Sequence, residues 1–304
     1  SFALLRRIAP FPALWRAGLR WGPRRAIPVT FNNRVNRYFA TRARHFVAST
    51  RYGFDLSGNT GDLIQRYIYL YGVWEPNLST WLWDRLGRGD GFVDVGANAG
   101  YYTLLAAQRV GREGSVTAIE ASPAIFPLLK ANAELNRAEN TRLVHCAVLD
   151  AIGEIELFPG PSHNLGATSI FQGDVGDSVR VEAKPLCEIL SPGDLASARI
   201  MKIDVEGAEV QAILGLVPCL EHARPDLEFV VEVGGGPEGS QPAAEAAGEI
   251  IRLLEPYGYH AYTLMNDYRA EAYVRERAAR PVRLRGPVAS ETDLVFSRLD
   301  RPSL

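Results

Sequence analysis

Three short stretches of this 304-residue chain hold side chains whose types and spacing suit chemistry. The first, Asp94-Val95-Gly96-Ala97-Asn98-Ala99-Gly100, follows an apolar run at 92–95 and precedes residues 101–110, which are apolar at helical spacing. In an open α/β sheet, ligands bind outside the carboxyl ends of the strands, so a glycine-rich strand-to-helix turn is the expected site. Gly96 and Gly100 permit a tight turn and close approach of a ligand to the backbone. Asp94 is a carboxylate in a strand that should be wholly apolar, so it needs a partner such as a ligand ammonium or turn amides. Glu120 stands twenty residues after Gly100, at the end of the next apolar run. An acidic side chain there can accept both hydroxyls of a ribose.

The second stretch is Met201-Lys202-Ile203-Asp204-Val205. Strand alternation puts Lys202 and Asp204 on one face, although a central parallel strand is usually apolar on both. Lys202 is one of three lysines against thirty arginines. Glu206 and Glu209 follow where they complement a helix N-terminus. Glu232, before Gly234-Gly235-Gly236, ends the third stretch at the same sheet edge, so two acids converge over one pocket. A loop at 163–169 adds His163, Asn164, Thr168 and Ser169, side chains able to hydrogen-bond a polyol.

These groups need a frame, and the apolar pattern supplies one. Strands are expected at 92–95, 116–119, 143–148, 199–205, 227–233, 259–264 and 293–297, with helices at 101–110, 123–136, 206–216 and 242–254. Strands separated by helices mean a mostly parallel sheet covered on both faces. Residues 154–158 and 179–182 alternate with period two, the mark of exposed antiparallel strands, so 153–190 reads as a β insert. The division expected is a helical extension or cap at 1–85 and a catalytic domain at 86–304.

Apolar residues make up 47% and charged residues 22%, which excludes disorder as the main character. No apolar run is long enough for a transmembrane helix. Cys146, Cys187 and Cys219 show no paired spacing, so no disulfide framework is expected and a reducing cytoplasm is the expected setting. The net charge of −2 hides a strong asymmetry: residues 1–51 carry eleven Arg and no Asp or Glu, leaving −13 for the rest. Prolines 10, 12, 23 and 28 interrupt any signal-like apolar run. The arginines either pair with the acidic body or form a patch for a membrane surface or acidic partner; no nucleic-acid module accompanies them.

Three blocks resemble the FkbM-like family of methyltransferases: Asp94 through Thr103, Ile119-Glu120-Ala121-Ser122-Pro123, and Met201 through Glu209. The resemblance covers roughly residues 55–300, with Gly58-Asn59-Thr60 and the stretch from Asp62 to Pro76 included. Ala121 stands where a proline is common in the family. The resemblance implies a Rossmann-like class I sheet of seven strands, the last antiparallel, and S-adenosylmethionine as cofactor. It implies that Asp94, Gly96, Ala97, Asn98 and Gly100 line the methionine part, that Glu120 holds the ribose, and that Ala147 to Asp150 meet the adenine. Glu75 would help close the cofactor pocket.

The implied chemistry is O-methylation of a hydroxyl on a sugar, glycoconjugate or other secondary metabolite. An alcohol must lose its proton, which calls for a general base or an acidifying metal. His163, Asp204 and Glu232 are candidate bases, with Lys202 orienting an acid or the substrate oxygen. Asp204 and Glu232 could instead share Mg²⁺. Two competing readings remain at this level. An NAD-dependent oxidoreductase predicts G-x-G-x-x-G, whereas the turn reads G-x-x-x-G. A non-catalytic module would bind acidic partners through the basic arm.

Overall fold

The computed structural model describes residues 16, 19, 29–158, 178–234, 241–273, 279–288, 290 and 292–304. Helix α1 (Val29–Thr41) leads into a hairpin, β1 (His45–Ser49) and β2 (Asp55–Asn59), then α2 (Leu63–Tyr71) and α3 (Pro76–Arg85). There follow β3 (Gly91–Val95), α4 (Tyr101–Val110), β4 (Ser115–Glu120), α5 (Phe126–Leu135) and β5 (Thr141–His145). Next come β6 (Ala147–Val148), β7 (Gly153–Leu157), β8 (Val179–Lys184), α6 (Leu186–Ile189) and α7 (Pro192–Ser197). The remainder is β9 (Ala198–Ile203), α8 (Glu209–Leu214), β10 (Glu228–Val233), α9 (Ala243–Leu254), β11 (His260–Leu264), β12 (Val282–Arg283) and β13 (Thr292–Ser297).

One sheet runs β5-β4-β3-β9-β10-β13-β11-β12. Strands β5, β4, β3, β9 and β10 pair in parallel, and β13 is antiparallel to both β10 and β11. The expected seven strands with the last one antiparallel are present. The two-residue β12 adds an edge beyond them. Every residue of β3 and β9 is buried, as central parallel strands require.

The sheet has a core on each face. Phe92, Val116, Ile200, Val230, Tyr262 and Val295 pack with α4 and with the N-terminal elements. Val93, Ile119, Met201, Ile203, Phe229 and Val231 pack against α8 and α9 on the other face. The N-terminal elements are tied to the first face by polar bonds. Tyr71 donates to Asn32 Oδ1 (2.7 Å), whose Nδ2 donates to the Ala270 carbonyl (2.8 Å). Asn132 of α5 and Asn136 at its C-cap each accept a β2 amide at 2.8 Å, from Ser57 and Asp55.

Several expectations are corrected. The segment 1–85 is not helical throughout, since β1 and β2 form an antiparallel hairpin. Val47 is 59% exposed while Phe46 and Ala48 are buried, so apolar residues stand on both sides of β1 and hide its alternation. The strand expected at 143–148 divides at Cys146: β5 stays in the main sheet, while β6 pairs with β8. Strands β7 and β8 are antiparallel, as the alternation at 154–158 and 179–182 requires. Cys187 and Cys219 form a disulfide with Cα atoms 5.7 Å apart, and Cys146 is a buried free thiol. The cysteine-based argument for a reducing compartment falls with that bond. Among the described residues, no helix is long and apolar enough to cross a membrane.

Candidate active site

The turn from β3 into α4 is fixed by its backbone. Gly96 has φ +82°, and a Cβ there would lie 1.8 Å from the Asp204 carbonyl oxygen. Gly100 has φ +89°, and its Cβ would lie 2.7 Å from Leu129 Cδ1. Only glycine suits either position. Asn98, at φ 50°, accepts the Ala99 amide on its own Oδ1 (2.7 Å), the local bond that lets asparagine hold a left-handed backbone. Glu120 braces the turn from β4, accepting the Asn98 amide on Oε2 and the Ser122 amide on Oε1, both at 2.7 Å. Burial raises its pKa from 4.5 to about 7, against the pull of those two amides.

Asp94 accepts the Thr103 hydroxyl on Oδ2 at 2.5 Å, while its Oδ1 is buried with no hydrogen-bond partner. Burial raises its pKa, opposed by Lys202 and Thr103. An orphaned acceptor beside a glycine turn suits a ligand that brings donors. The turn, Asp94 and Glu120 therefore fit S-adenosylmethionine, whose ammonium and ribose hydroxyls are such donors.

The strand pleat gathers the other charges on this same face. Asp94 stands beside Lys202 across β3–β9, and Glu232 beside Asp293 across β10–β13. Each lies two residues from a member of the core under α4, namely Phe92, Ile200, Val230 and Val295. Period two thus brings all four to one face at the carboxyl edge. Lys202 Nζ lies 2.6 Å from Asp204 Oδ2 and 5.1 Å from the centroid of the Tyr102 ring. Burial would lower the lysine pKa, but Asp204, Asp94, Glu75 and Glu232 outweigh it and raise it, so Lys202 stays protonated.

The carboxyl groups of Asp204 and Glu232 are shifted in opposite directions. Burial, then Asp204, Asp293 and Glu75, push Glu232 well above the carboxylate range, so it is the protonated partner. Burial opposes ionisation of Asp204 as well, but Lys202 and the Glu232 hydrogen bond prevail and lower its pKa. Two carboxyl groups in contact settle this way because both cannot ionise cheaply. The Asp204 side chain is 27% exposed against 4% for Lys202, so the carboxylate is the member an incoming molecule can reach.

Glu75 sits above this row at φ +40°, a left-handed backbone for a non-glycine residue. Its Oε2 accepts the Tyr102 hydroxyl and its Oε1 the Tyr268 hydroxyl (2.8 Å); burial raises its pKa, with Lys202 opposing. Tyr268 stacks on Trp74 with centroids 5.7 Å apart. Asp293 accepts from Asn266 Nδ2. Tyr102, Tyr268 and Asp293 were not singled out in the sequence. Tyr102 lies inside the glycine block and was within reach, and Asp293 opens an apolar strand as Asp94 interrupts one. Tyr268 follows β11 in an aperiodic stretch and carries no such signal.

Other expected residues fall elsewhere. Ala147 is buried in β6, outside the main sheet, although the neighbouring Cys146 amide donates to the Glu120 carbonyl at 3.3 Å. Glu209 Oε1 accepts the Gly207 and Val205 amides at 2.9 and 3.2 Å, a bracing role for its own turn. His163 and its loop lie outside the described residues. Among those residues, no group of three or more His, Cys, Asp or Glu side chains is arranged to hold a metal ion.

The strand order, the reversed β13 and the ligand turn define a Rossmann-like, class I S-adenosylmethionine-dependent methyltransferase. Residues 94–261 match the model of the methyltransferase FkbM domain, and the chain belongs to that family. It is 25% identical over 226 residues to the 31-O-demethyl-FK506 methyltransferase FkbM of Streptomyces tacrolimicus, covering 64% of this chain and 82% of that one. Among solved structures, the methyltransferase FkbM of Methylobacillus flagellatus is 13% identical with a TM-score of 0.44. That alignment covers 97% of this chain and 60% of the other. The fibrillarin of Aeropyrum pernix, in complex with S-adenosyl-L-methionine, is 11% identical with a TM-score of 0.41, covering 83% and 82% of the two chains.

Proposed function

We propose that this protein is an O-methyltransferase acting on a hydroxyl of a sugar, glycoconjugate or other secondary metabolite, with Asp204 as the base. The observation that carries this reading is the partly exposed Asp204 carboxylate, bonded to Lys202 and in backbone contact with the cofactor turn through Gly96. The relative from Streptomyces tacrolimicus is named for a substrate lacking a methyl group on an oxygen, which supports an oxygen acceptor.

In this reading Asp94, Gly96, Ala97, Asn98 and Gly100 hold the methionine part, with Asp94 Oδ1 taking the ammonium. Glu120 takes the ribose hydroxyls, residues around Ala147 line the adenine side, and Glu75 closes the pocket. S-adenosylmethionine supplies an electrophilic methyl on a sulfonium, and alignment with the attacking oxygen provides much of the rate. Asp204 would accept the hydroxyl proton as the oxygen takes the methyl, whose bond to sulfur breaks to leave S-adenosylhomocysteine. Its low pKa is adequate because the oxygen becomes strongly acidic once it begins to carry the methyl. Lys202 fixes the carboxylate and supplies the positive charge that a metal would otherwise bring. Glu232 keeps its proton and orients the second side of Asp204.

The test is transfer of labelled methyl from S-adenosylmethionine to a panel of saccharides and hydroxylated metabolites, with products read by mass spectrometry. Oxygen-methylated product that falls at least about 100-fold in rate with Asp204→Asn supports the reading. Methyl found on nitrogen or carbon, or full activity in the variant, overturns it.

A further inference from the structure

We propose that the arginine face formed by α1 and β1 is a docking surface for an anionic lipid bilayer. Residues 1–54 contain eleven arginines and no aspartate or glutamate. Some of these cations are structural. Arg51 donates to the Tyr71 and Tyr273 carbonyls, at 3.0 and 3.2 Å, and Arg16 to the Tyr69 carbonyl at 2.9 Å. Others face outward. Arg37 lies on the exposed side of α1, away from the buried Asn32, Val35 and Phe39. Arg42 and Arg44 follow, both exposed, with guanidinium groups 4.7 and 6.0 Å from the Tyr38 ring centroid. Exposed His45 and Val47 continue the surface along β1.

A guanidinium resting on an aromatic ring is partly ordered before it binds, and its planar fork matches phosphate oxygens. The rest of the chain carries −13, so this end of the sequence has the sign opposite to the remainder. Composition selects a bilayer over a soluble polyanion. Phe2, Phe11, Trp15 and Trp21 are interleaved with Arg6, Arg7, Arg20, Arg24 and Arg25. Cations mixed with aromatic and aliphatic groups suit a headgroup interface, which accepts both kinds of contact. The face lies on elements that contribute none of the charged groups at the cofactor turn, so docking is separable from methyl transfer.

The experiment is co-sedimentation of the full chain with phosphatidylcholine vesicles, with and without phosphatidylglycerol, at low and high salt. Binding is expected only to the anionic vesicles and to weaken as salt rises. Each near-surface arginine is worth about fivefold in partitioning, so the triple variant Arg37→Glu, Arg42→Glu, Arg44→Glu should lose roughly 100-fold or more. S-adenosylhomocysteine should raise the melting temperature of wild type and variant alike, which reports folding and the cofactor site independently of the vesicles. Equal binding to neutral and anionic vesicles by wild type overturns the proposal without recourse to the variant. So does undiminished binding by a folded triple variant, or retention on heparin with no binding to anionic vesicles.

Discussion

Gly96 and Asp204 meet backbone to backbone: a Cβ on Gly96 would lie 1.8 Å from the Asp204 carbonyl oxygen, and the Asp204 amide donates to the Val95 carbonyl at 3.0 Å. The turn that receives the cofactor and the strand end that carries the proposed base are therefore one rigid unit. Neither can move by an ångström without displacing the other, and alignment at that scale governs transfer rates.

Gly96→Ala tests this coupling. The added methyl meets a carbonyl oxygen that cannot rotate away, and the residue must also hold φ +82°. A loss of roughly 2–4 kcal/mol in stability is expected, in line with strain and overpacking at a special backbone position. Urea denaturation measures that loss, and calorimetry with S-adenosylhomocysteine should show binding weakened by at least about tenfold. Wild-type affinity in the variant would show that the two strand ends are not coupled.

Lys202→Met removes the cation that Asp204, Asp94, Glu75 and Glu232 share. Breaking a buried ion pair from one side costs about 3–5 kcal/mol, because uncompensated charge remains. The sign with pH follows from the carboxylates. Lys202 lowers the pKa of Asp204, so its loss raises that pKa and protonation at lower pH relieves the penalty. The stability deficit should thus be larger at pH 8 than at pH 5. The acid limb of the rate profile should move to higher pH. Deficits that do not vary with pH would place the lysine in packing alone.

Glu120 gives a second pH test with a defined window. Its pKa is raised by burial from 4.5 to about 7, so between those values the folded protein binds a proton that the unfolded chain has released. Its contribution is then greatest below about pH 4.5 and declines as pH rises to about 7. Glu209 behaves alike, since burial also raises it from 4.5 to about 7. Melting temperatures of the ligand-free protein should show that decline, and Glu120→Gln, which cannot ionise, should flatten part of it. An unchanged slope in the variant would show that Glu120 is not buried as described.

Much of this site could be read in the sequence because strand ends are local signals. Asp94, Glu120, Lys202 and Glu232 each interrupt or end an apolar run, and period two already places Lys202 and Asp204 together. What remained hidden depends on long-range packing. Glu75 and Tyr268 are 193 residues apart in the chain, and their bond arises because Asn32 and Asn77 hold the stretch after β11 against the N-terminal elements. The hairpin is hidden because Val47 faces solvent, and the apolar run at 143–148 outlasts its strand because Cys146 and Ala147 remain apolar after leaving the sheet. No spacing rule reports either event.

The disulfide is likewise a product of packing, since Cys187 and Cys219 are separated by 32 residues and share no motif. Cys187 belongs to α6, after β8 at the end of the insert, and Cys219 to the 3₁₀ turn at Val217–His222, after α8. The bond therefore ties the return from the insert to the helix that follows Asp204. A covalent loop of this length restricts the unfolded chain by about 3–4 kcal/mol. Reductant should lower the urea midpoint of wild type accordingly and leave Cys187→Ser unmoved. Thiol titration of the denatured, unreduced protein should return a single group, Cys146. Three reactive thiols with no effect of reductant would mean that the pair is not oxidised, and the insert would then be held by noncovalent contacts alone.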